Sequence, residues 1–169
     1  MSKTLKQRPT AARQRNAGSA EPPRRGRRKE RSKGDLNALK VFLAMSPLDQ
    51  SEQIRNGVAA AIVRGTSRDL LNIPLPSLLK SLRLPSSAIH RKIASGGQIS
   101  ACESDRIART ILIHALAKDV FEDSKLAAEW MLKRNVRLGD EKPIEMLDTQ
   151  TGYDNVRDIL TRLVHGVCI

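Results

Sequence analysis

Between Asn72 and Phe121, prolines and glycines cut the chain into lengths that suit short helices. Ile73-Pro74-Leu75-Pro76 reads as an extended or turn segment, and its second proline suits a helix start. Leu75, Leu78, Leu79 and Leu82 recur at helical spacing and predict a short helix over Ser77–Leu82. Leu84-Pro85-Ser86-Ser87 is a tight connection carrying proline and small polar residues of the kind that cap helices. A second short helix follows over Ala88–Ala94, with Ile89 and Ile93 four apart on an inner face, and Gly96-Gly97 ends it. Ser100 and Glu103 form an S-x-x-E capping box that opens a long helix to Phe121. Ile107, Ala108, Ile111, Leu112, Ala115 and Leu116 line one face of it; Asp105, Arg106, Arg109 and Lys118 keep to the other. No stretch alternates with period two, so the chain reads as all-α. The two short helices and their turn make a helix-turn-helix pattern.

The same reading extends in both directions. Leu36, Leu39, Leu43 and Phe42 place a rough apolar face on a helix over Asp35–Met45, stopped by Ser46-Pro47. Another helix is expected from near Ser51, capped by Ser51 or Asp49, with Ile54, Val58, Ile62 and Val63 along one side. Gly57 and Gly65 mark a break or a close-packing point within it. Downstream, Ser124–Arg134 predicts a helix with Leu126, Ala127, Trp130 and Met131 inward. Pro143 suits the start of a single turn over Ile144–Leu147. Asp148-Thr149 offers cap oxygens to a last helix over Gln150–Val164. Gly152 in its first turn costs helix propensity, so something approaches closely there, either another helix of the protein or a partner.

Charge divides the chain differently. Residues 1–34 hold twelve basic and two acidic side chains, a net +10, whereas the other 135 residues sum to +2. Leu5 is the only large aliphatic residue in this arm, so nothing there offsets the entropy of ordering, and it is expected to be disordered. Arg24, Arg25, Arg27 and Arg28 open a run of seven positive charges around one acid. The run reads as a phosphate-binding arm in preference to a solubility tail. Its Arg-rich, acid-poor composition also matches an organellar transit peptide, but no apolar segment follows it as in a secretory signal. Four aromatic residues are too few for a row of base-stacking platforms. Cys102 and Cys168 make neither a disulfide framework nor a zinc site, and His90, His114 and His165 lack metal-ligand spacing. No metal, no cofactor and no membrane span are expected. No Gly-rich phosphate loop or nucleophile–base arrangement appears, so an enzyme is not expected either.

The C-terminal fifty residues carry the most specific pattern: Val120-Phe121-Glu122-Asp123, Ala127-Ala128-Glu129-Trp130-Met131, Asn135, Leu138-Gly139, Pro143-Ile144-Glu145-Met146-Leu147-Asp148-Thr149, Gly152, Leu160 and Arg162-Leu163-Val164-His165-Gly166-Val167. This string resembles the toxin-binding domain of the Xre/MbcA/ParS-type bacterial antitoxins. Leu84–Lys92 is similar to that family's helix-turn-helix segment, and Ile99–Arg106 to the stretch that follows it. The resemblance covers about residues 51–169. Three departures stand out: Glu122 and Asp140 replace glycines common in the family, and Ser87-Ala88 stand where Arg and Thr are common.

Charge and periodicity give a basic arm (1–34) and a linker or short helix (35–50), and the resemblance implies an Xre-like DNA-binding domain (51–115) and a toxin-binding domain (116–169). It implies a cytoplasmic bacterial antitoxin of a type II toxin–antitoxin system. That protein neutralises a RES-domain, NAD-consuming toxin by occluding its active site and represses its own operon. Its expected partners are the cognate toxin, operator DNA and a second copy of the chain, with higher toxin–antitoxin complexes. The expected DNA-facing residues are Ser86, Ser87, His90, Arg91 and Lys92, with the four arginines of the arm. The expected toxin-facing residues are Trp130, Asn135, Gly139, Thr149, Gly152, Arg162, His165, Gly166 and Val167, although Trp130 sits on the inward stripe and suits a core position better. A free-standing helix-turn-helix regulator with a C-terminal dimerisation domain is the alternative.

Overall fold

The computed structural model describes residues 25–164, with side chains from residue 34 onward. It is all-α: α1 Arg25–Ala44, α2 Pro47–Asn56, α3 Ala61–Gly65, α4 Leu75–Ser81, α5 Ser86–Ser95, α6 Ala101–Phe121, α7 Ser124–Leu132 and α8 Gln150–Val164. One π turn (Thr66–Leu70) continues α3, and two 3-10 turns (Val136–Leu138 and Pro143–Met146) separate α7 from α8. Among the described residues the only extended pairings are two isolated bridges, Ala59 with Gln98 and Asn135 with Glu141. No described helix is long and apolar enough to cross a membrane.

Local signals account for most helix ends. Ser46, which was expected to stop α1, also starts α2: its hydroxyl accepts from the Asp49 N–H, and Pro47 takes the first helical position. This replaces Ser51 and Asp49 as the expected caps. Gly57 then breaks the single helix expected through Val63. Its φ is +88°, and a side chain there would collide with the Ile99 carbonyl. The box at Ser100 and Glu103 forms in full, Gly96 ends α5 in the left-handed conformation, and Asp123 caps α7.

α1 begins at Arg25, ten residues upstream of the expected start, and the arm before it lies outside the described residues. Its buried stripe is also not the expected one. Leu36 and Leu43 are largely exposed, while Asp35, Leu39 and Phe42 point inward at i, i+4, i+7 spacing. Asp35 is 1% exposed. It accepts two hydrogen bonds from Arg64, at 2.7 and 2.8 Å, and a longer one from Arg68 at 3.4 Å. This hydrogen bonding raises the Arg64 guanidinium above its ordinary value. Gly65 lets α1 approach, its Cα facing the Asp35 carbonyl and the Leu39 side chain.

α6 is the central helix. It packs against α1, α2 and the π turn from the first half of the chain and against α7 and α8 from the second. A helix covered on several sides buries more than one stripe, so Ile113, His114, Thr110 and Ala117 are buried, while Leu112, Ala115 and Leu116 are half-buried. Buried apolar residues from α1 to α8 form one cluster. The domain boundary expected between residues 115 and 116 falls inside α6.

Candidate functional site

Two surfaces hold the expected site residues. The first is α4, the turn Leu82–Pro85 and α5. Ile89 is fully buried and Ile93 half-buried. That anchoring turns Ser86, Ser87, His90 and Arg91 outward together, since positions i, i+1, i+4 and i+5 share a face. The serines sit in the first turn of α5 and make no cap; Pro85 holds the cap position. His90 Nδ1 lies 2.8 Å from the Ser86 carbonyl, to which its Nδ1–H tautomer donates. Arg91 has no carboxylate partner among the described residues.

Lys92 does not belong to that face. Its Nζ donates to Glu103 Oε2 at 2.7 Å, and the Ser100 N–H donates to the same oxygen at 2.7 Å. Burial alone would raise the Glu103 carboxyl, but the Lys92 ammonium and the Ser100 donors outweigh it and hold the carboxyl below its ordinary value. Lys92 therefore fastens α5 to the start of α6. Arg106, to which the sequence assigned no role, does the same for the turn. Its guanidinium donates to the carbonyls of Leu82 (3.2 Å) and Arg83 (2.9 Å), which α4 leaves free at its end. Arg83 itself has φ +50°.

The second surface runs from α7 to α8. Trp130 is half-buried, its ring 5.9 Å from that of Phe121 at 47°, which agrees with the core reading. Asn135 builds the loop behind it: its side chain caps Val136–Leu138 by accepting from the Arg137 N–H at 3.0 Å, and its backbone pairs with Glu141. Thr149 caps α8 by accepting from the Gly152 N–H at 3.1 Å. Gly152 is buried against the Met146 carbonyl, where any side chain would collide. The close approach expected at Gly152 is thus met by the protein's own backbone. Asn135, Thr149 and Gly152 shape the surface, whereas Gly139 and Arg162 lie on it, Arg162 paired with Asp158 at 2.7 Å. Leu126, expected inward, is exposed because the Asp123 cap sets Ala127, Ala128 and Met131 as the buried stripe.

The two replaced family glycines fall at informative positions. Glu122 (φ +56°) ends α6, and Asp140 (φ +65°) follows Gly139 (φ +68°) in the loop. All three are left-handed, the conformation that glycine adopts most cheaply. The sequence reading missed Val136, 86% exposed at the tip of this loop, and the exposed Leu163 and Val164 at the end of α8. A lone valine between Asn135 and Arg137 leaves no periodic signal. Between loop and helix, Arg137, Leu138, Asn155, Asp158, Ile159 and Arg162 line an open groove of about 450 Å³. Among the described residues no cluster of three His, Cys, Asp or Glu could hold a metal ion. Arg24, His165, Gly166 and Val167 lie outside the described residues, as do the side chains of Arg25, Arg27 and Arg28.

Comparison with known proteins bears on this second surface. Residues 116–166 match the antitoxin Xre/MbcA/ParS C-terminal toxin-binding domain. An antitoxin Xre of Yersinia enterocolitica is 35% identical over 97 residues, 57% of this chain and 66% of that protein. An antitoxin Xre of Photorhabdus laumondii is 40% identical over 79 residues, 46% of this chain and 53% of that protein. The chain thus spans between about half and two thirds of these two relatives. A longer match, 25% identical over 151 residues and 94% of its partner, is to a Prs ADP-ribosylating antitoxin of a Sphingobium species. The matched segment begins within α6 and takes in α7, the loop built on Asn135, the turn under Gly152 and α8, and over these residues the chain has the C-terminal toxin-binding domain of the Xre/MbcA/ParS antitoxins.

Proposed function

We propose that this chain is the antitoxin of a type II toxin–antitoxin pair. Its C-terminal surface binds a RES-type, NAD-consuming toxin and occludes the active site. Its α4–α5 unit binds operator DNA, so that the complex represses its own operon. The observation that carries the reading is that residues 116–166, the segment matching a toxin-binding domain, coincide with the loop and helix presenting Val136, Gly139, Arg162, Leu163 and Val164. Support for the DNA half comes from the joint exposure of Ser86, Ser87, His90 and Arg91 on a helix anchored by Ile89. Helix-turn-helix proteins read two half-sites as dimers, so a homodimer is part of the proposal. The setting is the bacterial cytoplasm, and the protein acts by binding and not by catalysis.

The test is co-expression with the product of the neighbouring gene. The full chain should rescue growth and co-purify with that product. Deletion of residues 166–169 should release toxicity and leave operator binding intact. Arg91→Ala should weaken operator binding and leave rescue intact. A chain that binds its operator but neither rescues growth nor co-purifies is the alternative, a free-standing regulator.

A further inference from the structure

A cleft of about 630 Å³ separates α4 from the segment leading into α8, and Lys80, Arg83, Lys142, Glu145, Asp148 and Thr149 are among its walls. Across it runs an ion pair: Arg83 Nη1 lies 3.1 Å from Asp148 Oδ2. The two partners are unequal. The Arg83 side chain is 77% exposed, the Asp148 side chain 10%. Arg83 lies three residues ahead of Ser86, the first residue of α5, and Arg106 fixes its carbonyl. The backbone of the turn is therefore held while the guanidinium is free to swing. An ion pair with so exposed a partner is weak. A phosphate, by contrast, offers an arginine two parallel charge-assisted hydrogen bonds. In helix-turn-helix complexes the chain around the recognition helix meets the phosphate backbone and sets its register.

We propose that Arg83 is a DNA phosphate-contact residue that Asp148 holds in reserve. The proposal rests on the DNA-binding reading above. Asp148 directly precedes Thr149, the cap of α8, so the segment that shapes the toxin-facing helix also sets how many phosphates the helix-turn-helix engages. DNA and Asp148 compete for one guanidinium. Any contact that draws Asp148 away strengthens DNA binding, and any contact that tightens its hold weakens it.

The experiment titrates the full-length protein with a short random-sequence duplex across a series of salt concentrations. Random sequence suffices because phosphate contacts carry no sequence information. D148N should bind roughly twofold to fivefold tighter at low salt, the range of one exposed ion pair. The slope of log K on log salt should steepen by up to about 0.9, one extra phosphate contact. R83Q should bind more weakly, with a slope shallower by as much as the wild-type chain uses the contact. In the R83Q background D148N should give no gain. A gain that persists there overturns the proposal, since it then reflects loss of a negative charge alone. An R83Q chain that matches the wild type while D148N is no tighter also overturns it. Arg83 is exposed, so R83Q remains informative if D148N lowers the melting temperature. A wild-type chain that binds no duplex at all overturns the DNA-binding reading itself, a result distinct from the others.

Discussion

Gly152→Ala separates two reasons for a glycine in a first helical turn. In an exposed helix the change stabilises, by about 1 kcal/mol of helix propensity. Here the added Cβ meets the Met146 carbonyl oxygen, lies 2.8 Å from its carbon and 3.0 Å from Thr149 Oγ1. A main-chain carbonyl in a 3-10 turn cannot rotate away like a side chain. Either α8 moves off the turn Pro143–Met146 or the cap from Thr149 to the Gly152 N–H opens. Overpacking costs about 1–3 kcal/mol, occasionally more, and loss of a cap about 1. With both costs counted against the propensity gain, the net loss is about 1–3 kcal/mol. With a urea m-value of about 2 kcal/mol/M, the midpoint should fall by roughly 1 M. Growth rescue should fail in parallel, because α8 no longer seats on its turn. Gly139→Ala is the control: its φ is +68° but nothing lies within 4 Å, so it should lose only about 1 kcal/mol of left-handed strain. A Gly152→Ala midpoint at or above the wild-type value refutes the packing account and restores partner contact as the reason for the glycine.

Three further expectations follow from the same geometry. Glu122→Gly relieves a left-handed backbone at the end of α6 and should stabilise by about 0.5–1 kcal/mol, read as a higher melting temperature. Arg64→Ala strips the bidentate partner from Asp35, 1% exposed, and should destabilise by about 3 kcal/mol in chemical denaturation; Arg64→Lys should not restore it, since an ammonium cannot make both parallel bonds. Burial holds His114 below the ordinary histidine value, against the raising effect of the Ser124 and Leu70 carbonyls. The native state therefore binds fewer protons than the unfolded chain, and stability present above the unfolded value is lost as pH falls through it toward the folded one. A series of denaturation curves from pH 8 to pH 5 should show that loss, and His114→Phe should flatten it.

Where a structural signal is local, the sequence carries it. The box at Ser100 and Glu103, the proline at the start of α4, Gly96 and the break at Gly57 each act within a few residues of themselves. Reading fails where the determining partner is distant. Nothing in the sequence marks Asp35 for burial, because its partner Arg64 lies 29 positions away. Lys92 looked like a DNA contact because Glu103 lies across the next loop. Leu36 and Leu43 fitted a stripe, but the burial of Asp35 with Leu39 and Phe42 rotates that stripe. For the candidate site, spacing from Ile89 gives the outward face of α5 correctly. The loop at Val136 has no spacing to read, and its shape depends on the Asn135–Glu141 pairing.

The continuity of α6 also bears on how such proteins diversify. Ala101–Phe121 supplies buried residues to neighbours from both halves of the chain. A recombination event that joined the front of one relative to the back of another near residue 115 would have to keep, along one helix, side chains that satisfy two sets of neighbours at once. Exchange of whole halves is therefore disfavoured at that point. Single changes at exposed positions such as Val136 and Leu163 alter the surface without touching the shared helix.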